Sequence, residues 1–476
     1  TISGRSTCLH AFIVALNQAC DGHVKRWYVS TMELQLVSME FCRACRSVQT
    51  LHVRVVPHTS PSLWPPRKSH TTPDRRGPKV CIRNRVPAVQ AFGLTWALPM
   101  EFLLKTSAIV PWAESEGQQR TGPSAAARLG SVIWPRQLKR MVFASDMPVT
   151  AATWPASLQQ LSFGDNFNQP IARVAWPASL QQLSFGHPFN KPIAEVVWPV
   201  SLQQLSFGRM FNHPIVEVLW PASLQQLSFG YAFNQPIVGI LWPASLQQLS
   251  FGYAFNQPIV GILWPASLQQ LSIGDYFNQP IAKVGWSASL QQLSFDSSFN
   301  QTIVGVRWPS SLEQLLFGNN FNQPIVEVLW PASLQRLSFG DFFNQPVVGA
   351  VWPTSLQQLS FGDDFNQPIA EVAWSASLQQ LSLGCSFDLP IIEATWPASL
   401  QQLSFGGNFN QPISEVIWSA SLQRLSLGSS FNQPITEVVW PASLEQLSLG
   451  SNFNQPIAEA AWPASLQQLS FGCSFN

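Results

Sequence analysis

The chain has 476 residues, a net charge of +1 and only 11% charged residues, against 38 prolines and 20 tryptophans. A charge content below half the usual ~25% leaves Gln, Asn and Ser to carry solvation, and the balanced total hides a split. Residues 1–133 hold 16 Lys and Arg against 7 Asp and Glu, whereas residues 154–476 hold 7 against 17, which excludes the acidic part as a nucleic-acid binder because neutralising phosphates needs a basic stripe.

Residues 1–133 show no internal period. Ala11–Leu16 is a short apolar run, Met32–Leu51 has room for one or two helical turns, and Ala91–Val110 is apolar enough to pack. Pro61–Pro87 is rich in Pro and basic residues, which resist a packed core, so it is expected to be a linker or disordered arm. A solvated tail is favoured over an arm that contacts nucleic acid or acidic lipid. Cys42 and Cys45 form a single CxxC, with Cys8, His10, Cys20 and His23 upstream in no metal-site spacing. The chain is therefore read as an irregular, basic, partly disordered region at 1–133 and a repeat body beyond it. No run of ~20 apolar residues is present to span a bilayer, and no cofactor is expected. Seven cysteines without a disulfide framework and the lack of a visible secretory signal predict a cytoplasmic location. The first residue is Thr and the last copy of the repeat stops short, so both ends are read as truncated.

Residues 134–153 read as a decayed repeat, with Trp134, Pro135, Leu138 and Phe143 at repeat spacing, and are assigned as a degenerate capping coil. From Trp154, Trp recurs every 22 residues to Trp462, giving fourteen full copies and one partial copy over 154–476. Trp220–Leu241 and Trp242–Leu263 are identical. A fixed period of this size marks a solenoid, in which no coil buries its apolar face alone. The consensus is W-P-A-S-L-Q-Q-L-S-F-G-x-x-F-N-Q-P-I-x-x-V-x. In its first copy Leu161 and Phe163 alternate with Gln160 and Ser162, the period-2 pattern of a short strand. Gly164 follows where a sharp turn needing positive φ is expected, with Asp296 as the one replacement in later copies. Pro155 and Pro170 exclude a return helix, and Ile171–Ala175 suits a second extended segment. The predicted fold is mainly β: a solenoid of 22-residue coils with short parallel strands and little or no helix. Leu158, Leu161, Phe163, Phe167 and Ile171 should start inward ladders, Trp154 a corner ladder, and Asn168 an amide ladder bonding the next coil. Asp388 interrupts that amide ladder, so its coil is expected to be looser.

These motifs, LQQLSFGxxFNQPI preceded by WPASL, resemble the FNIP repeat, a 22-residue leucine-rich-repeat-like family that usually has Leu-Pro where this chain has Trp-Pro. The resemblance covers 154–476 and implies a leucine-rich-repeat-like solenoid. It also implies that any activity comes from attached domains such as F-boxes or kinases, and residues 1–133 carry neither pattern.

No catalytic constellation is found: the seven His are scattered, and no motif pairs them with Ser, Cys or a carboxylate. A stripe of Glu at the twentieth position, including Glu195, Glu217 and Glu327, reads as a solvated face. What varies on the constant scaffold are the twelfth and thirteenth positions, a rim just past the strand. The candidate rim comprises Asp165, Asn166, His187, Arg209, Met210, Tyr231, Tyr253, Asp275, Tyr276, Asn319, Asp341, Phe342, Asp363 and Asp364. Beside it runs the strand face of Gln160, Ser162, Gln182, Ser184, Gln226 and Ser228. The expectation is a non-enzymatic scaffold that binds a protein along this surface; the alternative is a structural or surface-repeat protein with no specific partner.

Overall fold

The structure, a computed structural model, describes residues 134–475 and two further strands, β1 (Arg26–Ser30) and β2 (Thr50–Arg54). Arg140–Phe143 forms β3 and Gln160–Phe163 forms β4; every later coil repeats a strand at the same place, down to Gln468–Ser470. Together they make one 18-stranded parallel sheet in which each strand lies beside its neighbour in sequence. The register is the repeat itself: Gln160 lies beside Gln182, Leu161 beside Leu183 and Ser162 beside Ser184. No helix occurs among the described residues.

Two expectations for the N-terminal region meet the structure. β1 and β2 lie inside the stretch expected to be irregular, and the last two residues of Met32–Leu51, where helical turns are expected, begin β2. The physical reason is the open edge of β3, whose unpaired backbone groups accept a further strand; Thr50 aligns with Arg140 and Val53 with Phe143. Pro61–Pro87, Ala91–Val110 and the CxxC at Cys42 and Cys45 lie outside the described residues.

Each coil carries one strand, not two. Ile171–Ala175, expected to be extended, is a tight turn in which the Val174 N–H donates to the Ile171 carbonyl at 3.2 Å. Two further turns close the coil, from Leu158 to Pro155 at 3.0 Å and from Phe167 to Gly164 at 3.1 Å. With only 22 residues per circuit, the return path satisfies its backbone by local turns rather than by a second ladder.

The interior is built of columns. Leu158, Leu161, Phe163, Phe167 and Ile171 are buried, as are their successors along the stack as far as Phe453; in the terminal turn and coil, Ile457, Leu466, Leu469, Phe471 and Phe475 are half-buried because no further coil covers them. Phe163 stacks on Phe167 of its own coil at 4.0 Å and on Phe185 of the next at 5.3 Å. Such pairs add about 0.5–1.5 kcal/mol to the burial of the rings themselves. The tryptophans stack as the expected corner ladder, Trp154 on Trp176 at 6.2 Å and 16°. Five of them, Trp198, Trp242, Trp352, Trp418 and Trp440, are buried and the rest half-buried. From Trp154 to Trp440 each indole Nε1 is buried with no hydrogen-bond partner. The cost is about 1–3 kcal/mol per group, which ring burial and stacking must exceed.

The turn glycines are required for a different reason from the one the sequence suggests. Positive φ is found at Gly428 and Gly450, but not at the other glycines just past the strand. What all but the first of these turns share is close approach: a Cβ added at Gly208 would overlap the Gly186 carbonyl, and one at Gly252 the Gly230 carbonyl. Positive φ belongs instead mainly to the return turn, at Gly239, Gly261, Gly305 and Gly349. Asp296, the exception past the strand, follows one of the few four-residue strands, Gln292–Phe295, with its N–H on the Ile273 carbonyl at 3.2 Å.

The amide ladder forms as expected. Asn168 Oδ1 accepts the Asn190 N–H at 2.9 Å, and Asn190 Oδ1 accepts that of Asn212 at 3.0 Å. From coil to coil Gln also joins, Gln235 Nε2 donating to Asn212 Oδ1 at 2.9 Å. Asp388 does not interrupt it: its Oδ1 accepts the Asn410 N–H and Gln411 Nε2, both at 2.9 Å. A carboxylate offers the same acceptor as an amide oxygen, so the expected break is absent.

Candidate interaction surface

The strand face is polar but not free. Gln160, Ser162, Gln182, Ser184, Gln226 and Ser228 are all half-buried, because side chains one coil apart lie against each other. Ser184 Oγ donates to Ser162 Oγ at 2.8 Å, and Arg336 Nε donates to Gln358 Oε1 at 2.6 Å.

The rim residues form the turn after each strand, and the backbone of that turn has its own ladder. Ala232 N–H donates to the Arg209 carbonyl, Ala254 to Tyr231 and Tyr276 to Tyr253, each at 2.8 Å. The ladder fixes the twelfth positions one above another. Asp165 Oδ1 accepts the His187 N–H at 3.4 Å, Asn166 Nδ2 reaches the Ala144 carbonyl at 3.5 Å, and the Met210 N–H reaches the His187 carbonyl at 3.0 Å. The Asn319 carbonyl accepts the Phe342 N–H at 2.8 Å.

Two groups of side chains come together on this rim. In the first, the Arg209 guanidinium lies 4.5 Å from the Tyr231 ring centroid, Tyr231 stacks on Tyr253 at 4.3 Å, and Tyr253 meets Tyr276 at 4.4 Å and a tilt of 51°. A cation over a tyrosine face followed by three rings in contact is a continuous aromatic strip. The hydrogen bond to Tyr276, followed by partial burial and the neighbouring tyrosines, pushes the Tyr253 hydroxyl up to about 12.

The second group is acidic. Asp341 is held above the usual carboxylate range, first by burial and then by the charges of Asp363 and Asp364. Phe342 stands beside it, 51% exposed. Cys385, one coil on from Asp363, has its thiol raised, mainly by its hydrogen bond to Asp363 and then by burial. Between the groups, Asp275 and Asp296 face each other across adjacent coils. Asp296 is raised to about 6, by burial first and Asp275 second; solvent still reaches its side chain, which limits the pull of burial but not its direction.

Sequence reasoning located these residues but not their grouping. The signal was available in part: a period of 22 with in-register strands puts every twelfth position in one row, so Tyr231 and Tyr253 had to approach, and Tyr276, at the thirteenth position of the next coil, lies one residue along. Among the described residues no group of three or more His, Cys, Asp or Glu is placed to hold a metal ion. No helix among them is long and apolar enough to cross a membrane.

None of the curated proteins matches the chain. Among solved structures, CroV588, described as a novel circular leucine-rich-repeat protein, is 37% identical with a TM-score of 0.58, covering 72% of this chain. The chain spans 61% of that protein's length. An internalin (inlF) from Listeria monocytogenes is 13% identical with a TM-score of 0.43, covering 62% of this chain and 87% of its own. The sequence pattern described as the FNIP repeat matches residues 148–188, 189–232, 211–254, 233–276, 299–342, 343–386, 409–450 and 431–474. These matches take in more than half of the chain and fall on the coils whose Phe, Asn, Pro and Ile columns build the stack, so the chain belongs to the FNIP repeat family.

Proposed function

We propose that this chain is a non-enzymatic protein-interaction scaffold that binds a protein partner along the strand face and its variable rim. The observation that carries this reading is the strip Arg209–Tyr231–Tyr253–Tyr276 at the edge of a half-buried Gln/Ser face. Rigid aromatic side chains with little rotamer entropy to lose, flanked by adaptable polar groups, are what binding hot spots favour. The acidic group of Asp341, Asp363 and Asp364, three to four coils beyond Tyr276, suits a basic segment of the same partner. The rim and strand-face residues are the proposed contact set, with no cofactor.

The test is cross-linking mass spectrometry in extracts of the source cells, using the full chain and two variants, Tyr231→Ala/Tyr253→Ala and Asp363→Lys/Asp364→Lys. The scaffold reading expects a discrete set of proteins cross-linked to the rim and strand face by the wild type and lost from both variants. Recovery of the same set with both variants, or only adducts scattered over all faces, overturns it in favour of a structural repeat without a specific partner.

A further inference from the structure

The stack is curved, and the rim lies on the inner side of the bend. Stacked tryptophan rings step by 6.2–6.5 Å from coil to coil and tilt by 10–18°. Paired strands are ~4.8 Å apart, and the tyrosine rings of the rim step by only 4.3–4.4 Å. The tryptophans are therefore on the outside of the curve, with the strands and the rim on the inside.

Along this inner rim the chemistry changes in order. Number the coils from Trp154 as coil 1. Coils 2 and 3 hold the cations, Arg209 and, four residues past His187, Lys191. Arg209 is exposed and lies over the Tyr231 ring, an arrangement that leaves the edge of the guanidinium free for a carboxylate. Coils 4 to 6 hold the tyrosines. In coils 6 and 7 Asp275 and Asp296 face each other, and the twelfth and thirteenth positions of coils 7 and 8 are Ser and Asn. Coils 9 and 10 hold Asp341 with exposed Asp363 and Asp364. From coil 11 to coil 14 the same two positions are only Cys, Ser, Gly or Asn. The charged and aromatic part of the rim thus has a positive end and a negative end, with its apolar strip next to the positive one.

We propose that the segment of partner protein received here is an extended chain of fixed polarity, an inference that rests on the scaffold reading and names the chemistry of its partner. Acidic residues of the segment lie on Arg209 and Lys191, an apolar stretch on the tyrosines, a polar stretch over coils 7 and 8, and basic residues on Asp341, Asp363 and Asp364. From Arg209 to Asp363 is seven coil steps. At about 4.4–4.8 Å each they make roughly 30–34 Å, which about ten residues at ~3.3 Å span when extended. A straight helix does not follow this path, because the tilt between tryptophans accumulates to roughly a quarter turn over those steps.

The segment is read by its side chains and not as an added strand. Along the strip the turn backbone is already paired, with the Ala232 N–H on the Arg209 carbonyl, Ala254 on Tyr231 and Tyr276 on Tyr253, so no row of free donors is left for strand addition. Charge therefore sets the orientation. A segment laid the other way puts its acidic end on Asp363 and Asp364 and its basic end on Arg209, and a segment acidic or basic throughout meets like charge at one end. The apolar stretch must also adjoin the acidic end, since Tyr231 is one coil from Arg209 whereas Tyr276 is three coils from Asp341.

Fluorescence anisotropy of the full chain with labelled synthetic peptides tests this, with circular dichroism confirming that each variant is folded. The probe is a peptide of about 14 residues, acidic at one end, then alternating leucine and proline, then serine and glycine, then lysine at the other end. It should bind, and more weakly as salt is raised. Removing the serine and glycine stretch leaves it too short to engage both ends and should weaken it about tenfold. Exchanging the two middle stretches should weaken it as well. Arg209→Glu should cost about tenfold, as should Asp363→Lys/Asp364→Lys. A peptide with lysine at both ends should bind Arg209→Glu more tightly than it binds the wild type. No binding of the bipolar peptide, equal binding of the shortened one, indifference to Arg209→Glu, or equal binding of an all-acidic peptide or of single-stranded DNA overturns the proposal. Cross-linking in extracts judges the scaffold reading separately: a partner set lost from both variants there, with the bipolar peptide unbound here, overturns only the polarity of the segment.

Discussion

Tyr231 and Tyr253 stack almost parallel, with ring centroids 4.3 Å apart and 7° between their planes, at the twelfth position of two coils of identical sequence. The contact arises because their turns are tied by the Ala254 N–H on the Tyr231 carbonyl at 2.8 Å. Identity of sequence became identity of position, and position put two side chains in contact.

That strip should be visible in a titration. The Tyr253 hydroxyl is raised from 10.0 to about 12, chiefly by its hydrogen bond to Tyr276. A raised folded value means that the neutral form is favoured when folded. Its stabilisation is full below pH 10 and is lost as pH rises through about 12. Ultraviolet absorbance should show one tyrosine ionising in this late window, and Tyr253→Phe should remove it. Ionisation of all tyrosines together near the ordinary value would contradict the strip.

Two glycine substitutions separate the roles of glycine in this fold. Gly252→Ala drives a Cβ into the Gly230 backbone, an overlap no rotamer relieves, and should destabilise by at least the ~1–3 kcal/mol of an overpacked core. Gly261→Ala meets open space and carries only the strain of φ +82°, about 1–2 kcal/mol. Hydrogen exchange suits a repeat array better than a single melting point, because each coil depends on its neighbours. Protection should fall over coils 4 and 5 for Gly252→Ala and less for Gly261→Ala.

Asp388 allows a test of the amide ladder. Asp388→Asn keeps an oxygen for the Asn410 N–H and the Gln411 side chain and should change stability by less than about 0.5 kcal/mol. Asp388→Ala removes the acceptor of both and should cost about 1–2 kcal/mol. Denaturant unfolding of the two variants side by side, with equal losses, would show that the ladder contributes nothing.

Cys385 should be a sluggish nucleophile despite being exposed. Its thiol is raised chiefly by the hydrogen bond to Asp363, so less thiolate is present at neutral pH than in a free cysteine. Alkylation followed by mass spectrometry should be slower at Cys385 than for a model thiol peptide. Asp363→Ala should speed it, and an unchanged rate would show that the carboxylate does not control the thiol.

The sequence by itself determined the period, the single class of coil, the inward columns from Leu158 to Ile171 and the polar Gln160/Ser162 face. It could do so because an in-register parallel stack places like over like, so a spacing of 22 is already a contact map. What only the tertiary structure decided were matters of distance between chain segments far apart in a single coil or on adjacent ones. Tight turns replaced the expected second extended segment. Glycine past the strand proved necessary for the carbonyl of the coil before it, which no local pattern reveals. Asp388 kept the ladder that its identity seemed to break, because the backbone donor sees only an oxygen. The exposure of Leu219, Leu241 and Leu263 at the ends of their coils likewise came only from the structure, because the sequence pattern leaves that position variable. Only the direction of its side chain, set by the turn before it, places it in solvent.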